Sequence, residues 1–145
     1  MNLNISFDII NDYNAYDIKF LISDNDKQTF ATRLKPGVTH VNFDVPDTAE
    51  DHVLKITMSG KSWEHTKIDE QGQILEDVII RIQNLRFDNV LLDHEIFRHC
   101  VYEHSYNDDK KVPDKHEFHG TMGCNGTVSF KFYTPIYKWL LENIF

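Results

Sequence analysis

The sequence predicts an all-β domain, an antiparallel β-sandwich or jelly roll closed by a short C-terminal helix. Three observations carry that reading. Apolar residues recur at every second position in five segments, turn-forming dipeptides lie between them, and helical spacing is confined to the chain's end. Period-two alternation marks strands that bury one face and wet the other.

The first segment is Asp17–Ile22, where Ile18, Phe20 and Ile22 share a face. The second is Val41–Val45, with Val41, Phe43 and Val45 alternating against Asn42 and Asp44. Leu54, Ile56 and Met58 form the third around Lys55 and Thr57, and Val78–Leu85 is the strongest. Val128, Phe130 and Phe132 form the last. All are rich in β-branched and aromatic residues, which pack well on a pleated surface. Pro36-Gly37, Ser59-Gly60, Gln71-Gly72 and Asn125-Gly126 supply turn chemistry, and Asn-Gly before an alternating run is a hairpin cue. Thr134-Pro135 then reads as an N-cap followed by proline at the first helical position. Ile136, Trp139, Leu140 and Ile144 follow at helical spacing. The stretch from His104 to Glu117 is the most polar and reads as a long loop, where function concentrates.

Composition bounds the rest. The chain has 145 residues, 15 Lys+Arg against 23 Asp+Glu, and a formal charge of −8. That length suits one domain with a sizeable core of its own, and no linker, repeat or low-complexity run divides residues 1–145. The acidic balance has the wrong sign for a phosphate-rich partner, so no nucleic-acid partner is expected. No apolar run reaches the ~18–20 residues of a membrane helix, and the N-terminus lacks the basic region of a signal peptide. Neither a membrane partner nor export is expected.

Eight histidines are many for this length. His94, His99 and His104 lie around Cys100, and His116 and His119 precede Cys124. His116 and His119 are the candidate metal pair. Against them stands the rule that tetrahedral zinc wants four convergent ligands, delivered as tight pairs, whereas the two cysteines are 24 positions apart. Cys100 and Cys124 read as free thiols, buried or half-buried, more readily than as a disulfide. Asp24 and Asp26 flank Asn25 in a turn and are the calcium candidates, since hard cations gather loop oxygens, but the remainder of an EF-hand loop is absent. No nucleophile elbow, metalloprotease helix, phosphate loop or dinucleotide fingerprint is present, so no catalytic residue is assigned. Trp63, Tyr102 and Tyr106 fall outside the clean alternating runs. As exposed rings they would stack on sugar faces or anchor an interface, with packing under a loop as the plainer alternative.

One resemblance adds to this. Ile56–Lys61, His65–Gly72, Glu76–Ile82, and above all Phe118–Val128 and Pro135–Asn143 resemble small β-sandwich proteins of T4-like marine tailed phages. It spans roughly the last two-thirds of the chain; residues 1–50 take no part. The resemblance implies a virion-associated or carbohydrate-binding-like jelly roll and supplies no catalytic residue.

The expectation is thus a non-enzymatic virion protein that assembles with copies of itself or with other virion proteins. Ile136, Trp139, Leu140 and Ile144 are its interface candidates. The alternative is a carbohydrate-binding module, calcium-assisted through turn carboxylates, that grips host surface glycans through loop aromatics.

Overall fold

The computed structural model describes residues 2–13, 15–62, 66–105 and 115–145. The chain is built of antiparallel strands: β1 (Asn2–Asn11), β2 (Lys19–Asp24), β3 (Lys27–Arg33), β4 (Gly37–Pro46), β5 (Asp51–Ser59), β6 (Thr66–Ile68) and β7 (Ile74–Asp77). They are followed by β8 (Ile80–Phe87), β9 (Val90–Leu91), helix α1 (Asp93–Phe97), β10 (Cys100–His104), β11 (Lys115–Glu117), β12 (Thr121–Met122), β13 (Gly126–Tyr133) and helix α2 (Ile136–Asn143). One sheet runs β12-β8-β1-β4, with β9 beside β8; the other runs β11-β10-β13-β5-β2-β3. β6 and β7 pair with each other in a two-stranded sheet.

The two large sheets bury their alternating faces together. Leu3, Ile5, Phe7 and Ile9 of β1, Val41, Phe43 and Val45 of β4, and Ile80, Ile82, Leu85 and Phe87 of β8 form one side. Phe20 and Ile22 of β2, Leu54, Ile56 and Met58 of β5, and Val128, Phe130 and Phe132 of β13 form the other. Phe87 meets Phe130 and Phe132 edge-on, with ring centroids 5.9 and 5.8 Å apart, so aromatic packing joins the sheets directly.

β8 departs from strict alternation for a local reason. Ser6 of β1 pairs with Arg86 while Asp8 pairs with Gln83, so two residues of β8 oppose Phe7 alone. Asn84 adopts a φ of 58°, a left-handed conformation that asparagine tolerates. This bulge resets the phase, so Ile80 and Ile82 before it and Leu85 and Phe87 after it all point inward.

Three expectations are corrected here. Asn125-Gly126 does not turn a hairpin, because β12 pairs with β8 in one sheet while β13 lies in the other. Gly126 is needed for close approach: a Cβ there would sit 2.4 Å from the Glu103 carbonyl oxygen. Thr134 is not the cap of α2, since Pro135 holds that position and its carbonyl accepts the Lys138 N–H at 3.1 Å. The Thr134 hydroxyl instead accepts the Glu50 N–H at 3.2 Å. Finally, the segment His104–Glu117 is not a loop throughout, because His104 ends β10 and Lys115–Glu117 forms β11 at the sheet's edge.

Candidate functional site

A polar groove lies beside β8. Its construction begins at the Asn84 bulge. The Asp93 carboxylate, at the start of α1, accepts the N–H groups of Asn84 at 3.2 Å and Leu85 at 2.8 Å. This clips α1 against β8, while Ile96 and Phe97 anchor the helix in the core. The opposite wall is the chain entering β12, where the Ile82 N–H donates to the Gly120 carbonyl at 2.8 Å. Gly120 has a φ of 94°, and a Cβ on it would come within 3.3 Å of the Phe97 ring. Glycine therefore lets this wall close onto α1.

Between the walls lies a groove of about 270 Å³, lined by Arg81, Ile82, Gln83, Asp93, His94, Phe97, His119, Gly120 and Thr121. Ile82 and Phe97 give it an apolar floor. A guanidinium, a carboxamide, a carboxylate, two imidazoles and a hydroxyl line it as well, offering both donors and acceptors. Arg81 is held by Asp12 at 2.5 Å. A hydrogen-bonded row extends along the sheet, with the Asn84 amide donating to Asp8 at 2.8 Å and His40 Nδ1 2.5 Å from the same carboxylate. Such a site suits a neutral, hydroxyl-rich ligand with an apolar face.

The residues singled out in the sequence are dispersed. His119 lines the groove, as does His94 of α1. His116 is not its partner: His116 Nε2 lies 2.9 Å from Nε2 of His104, at the end of β10. His99 packs edge-on to Trp139, with ring centroids 5.3 Å apart. Asp24 and Asp26 do not converge, for Asp24 is buried against His52 and Asp26 reaches Lys55 at 3.4 Å. Asn25 and Asp26, with φ of 51° and 66°, form the β2–β3 hairpin turn. Among the described residues no three His, Cys, Asp or Glu side chains gather to hold a metal.

Tyr102 is not an exposed loop aromatic. It stands in β10 at 3% exposure, its ring against Phe118 and its hydroxyl donating to the Cys124 carbonyl while accepting the Cys124 N–H at 3.2 Å. Burial pushes its phenol up to about 12. Trp63 and Tyr106 lie outside the described residues. Both cysteines are free thiols, Cys100 buried and Cys124 exposed. The interface candidates are also corrected. Ile136, Trp139 and Leu140 are buried in this chain's own core, with Trp139 edge-on to Phe130 at 5.1 Å, and Ile144 packs partly against the same cluster. The exposed apolar residues of this region are Tyr137 and Leu141 of α2 and Phe145 beyond its end.

Arg81, Gln83, Asp93 and Thr121 were not legible as site residues. A strand's outward positions carry no motif, and the groove arises from three separate segments.

No family model matches the chain, and no curated protein matches it in sequence. Solved structures do share its fold. A vCBM60 module in complex with galactobiose superposes with a TM-score of 0.55 at 8% identity, covering 89% of this chain and 99% of the other. The selenomethionine form of vCBM60, described as linking two families of calcium-dependent carbohydrate-binding modules by circular permutation, gives 0.54 at 7% identity over 88% and 89%. At these identities the likeness establishes the β-sandwich fold.

Proposed function

We propose that this protein is a non-enzymatic carbohydrate-binding domain whose ligand lies in the groove between β8, α1 and the entry to β12. The observation that carries the reading is the groove's make-up: an apolar floor ringed by Arg81, Gln83, Asp93, His94, His119 and Thr121. Sugars present alternating hydroxyls around an apolar ring face, and such a rim meets both. The shared fold with a galactobiose-binding module supports the choice of ligand class. The phage resemblance over roughly the last two-thirds of the chain supplies a setting, a virion-borne domain that attaches to host surface glycans.

The experiment is a glycan array followed by calorimetry, with galactobiose as the first disaccharide, run with calcium and with chelator. Saturable binding that weakens in His119→Ala and Arg81→Ala supports the reading. Absence of binding to every host-surface polysaccharide overturns it. Dependence on calcium would add the metal as a cofactor of binding, and indifference to chelator would remove it.

An assembly role has one observation in its favour. Tyr137 and Leu141, one turn apart on α2, and Phe145 just beyond its end are 54, 68 and 73% exposed. Light scattering on the parent and on Leu141→Glu tests it: an oligomer that the charge dissolves supports assembly, and a monomer at all concentrations removes it.

A further inference from the structure

A second cluster lies on the other sheet, on residues separate from the glycan groove. β10 and β11 pair so that Tyr102 faces His116, which puts His104 diagonally across from His116 on the same side. The two imidazoles meet tip to tip, Nε2 to Nε2, at 2.9 Å. The Tyr102 ring packs against both, with centroids 4.7 Å from His104 and 5.2 Å from His116. Its hydroxyl is fixed by the Cys124 backbone. The rings are therefore braced from beneath, while His116 is exposed.

Hydrogen bonding assigns the protons. His116 Nδ1 lies 2.9 Å from the Glu117 carbonyl, which only accepts, so Nδ1 carries the hydrogen. In the neutral ring Nε2 then holds the lone pair, 2.9 Å from Nε2 of His104, while the Nδ1–H bonds the backbone carbonyl. This is the outer-sphere bond that orients a metal-binding histidine, with the ligating nitrogen already aimed.

We infer that His104 and His116 form a two-histidine clip for a late first-row divalent ion, Cu²⁺ or Ni²⁺. Two nitrogens at about 2.0–2.1 Å from one ion lie about 3 Å apart when they subtend about 90°. The gap of 2.9 Å thus already has the spacing of adjacent positions in a square-planar or octahedral shell. On binding, both rings ligate through Nε2 in their Nδ1-protonated forms. Water fills the remaining positions. Calcium, which takes oxygen ligands, has no place here.

Ni²⁺ is titrated into the parent protein by calorimetry and thermal melting. Cu²⁺ is followed by electron paramagnetic resonance in a Cys124→Ser background, which removes the exposed thiol as a competing ligand. The expected result is one equivalent bound, a raised melting temperature and hyperfine coupling to two nitrogens. His116→Gln should weaken binding at least tenfold, as should His104→Gln, while His94→Gln and His119→Gln leave it unchanged. Equal binding by parent and His116→Gln, or loss in the His94 and His119 variants instead, overturns the inference. Since His116 is exposed, its variant decides the matter even if His104→Gln fails to fold. Glycan binding is read separately, so either proposal can fail alone.

Discussion

Both oxygens of the Asp24 carboxylate lie 2.9 Å from Nδ1 of His52, joining two buried side chains across the β2–β5 pairing. The His52 ring stacks on Phe132 at 4.9 Å, and its Nε2 is buried with no hydrogen-bond partner among the described residues. Removing the carboxylate would leave Nδ1 without an acceptor as well. Asp24→Ala should therefore cost about 1–3 kcal/mol in urea unfolding, as expected when a buried donor loses its acceptor. Asp26→Ala, at an exposed turn position with a long ion pair to Lys55, should cost under about 1 kcal/mol. Replacing both partners, as Asp24→Leu with His52→Phe, should recover most of the loss.

The two thiols should behave oppositely. Burial pushes the Cys100 thiol up to about 12, since the thiolate would have to form among apolar side chains, whereas Cys124 is exposed. Native protein should release one equivalent of colour from a disulfide reagent at pH 8, and denatured protein two. Rapid reaction of both in the native state would contradict the burial.

Alkaline pH should erode stability through the same groups. The unfolded chain ionises Cys100 near its ordinary value of 9.0 and Tyr102 near 10.0, while the folded chain holds both protons to about 12. Over that interval the unfolded state binds fewer protons, so unfolding free energy falls as pH rises. The two contributions are complete below pH 9 and lost progressively between pH 9 and 12. Urea midpoints measured across this range should decline, and Cys100→Val should flatten the first part of the slope.

Gly126 should be hard to replace where β13 begins beside β10. A Cβ would meet the Glu103 carbonyl at 2.4 Å and the Tyr102 ring at 2.9 Å. Gly126→Ala should destabilise by about 1–3 kcal/mol through overpacking, and should also disturb the ring that supports His104 and His116. Gly72, at a φ of 82° with open space around it, carries only the backbone penalty, about 1–2 kcal/mol on Gly72→Ala. Thermal melts of the two variants distinguish them.

Most of the sandwich was legible because a half-buried strand writes its environment at every second residue. Ile18, Phe20 and Ile22, Val41, Phe43 and Val45, and Val128, Phe130 and Phe132 are all buried as their spacing predicts. The five-segment reading leaves out β1, although Leu3, Ile5, Phe7 and Ile9 alternate as cleanly as any. It also leaves Tyr102 outside a strand, although Cys100, Tyr102 and His104 alternate with Val101 and Glu103. Asp24 with His52, and His104 with His116, were beyond reach. Each pair meets through strand registry across 28 and 12 positions, and no local spacing encodes which strands will be neighbours. The groove was hidden for the same reason, its histidines contributed by α1 and by the approach to β12.

The sharpest consequence concerns the groove's rim. Arg81 is paired to Asp12 at a half-exposed position, and His94 and His119 are exposed, so none of the three carries the core. Arg81→Ala and the His94→Ala, His119→Ala pair should leave the melting temperature within a few degrees of the parent. Each lost hydrogen bond to a ligand hydroxyl should weaken glycan affinity about tenfold, equivalent to about 1.4 kcal/mol. Asp93→Ala should do more, because its carboxylate braces the N–H groups of Asn84 and Leu85 as well as lining the groove. It should lower both stability and affinity, and Asp93→Asn, which keeps one acceptor oxygen, should fall between it and the parent. Melting curves paired with calorimetry separate the two effects. If Asp93→Ala melts lower while glycan binding at low temperature is unchanged, α1 is held at this site for stability alone and the ligand lies elsewhere.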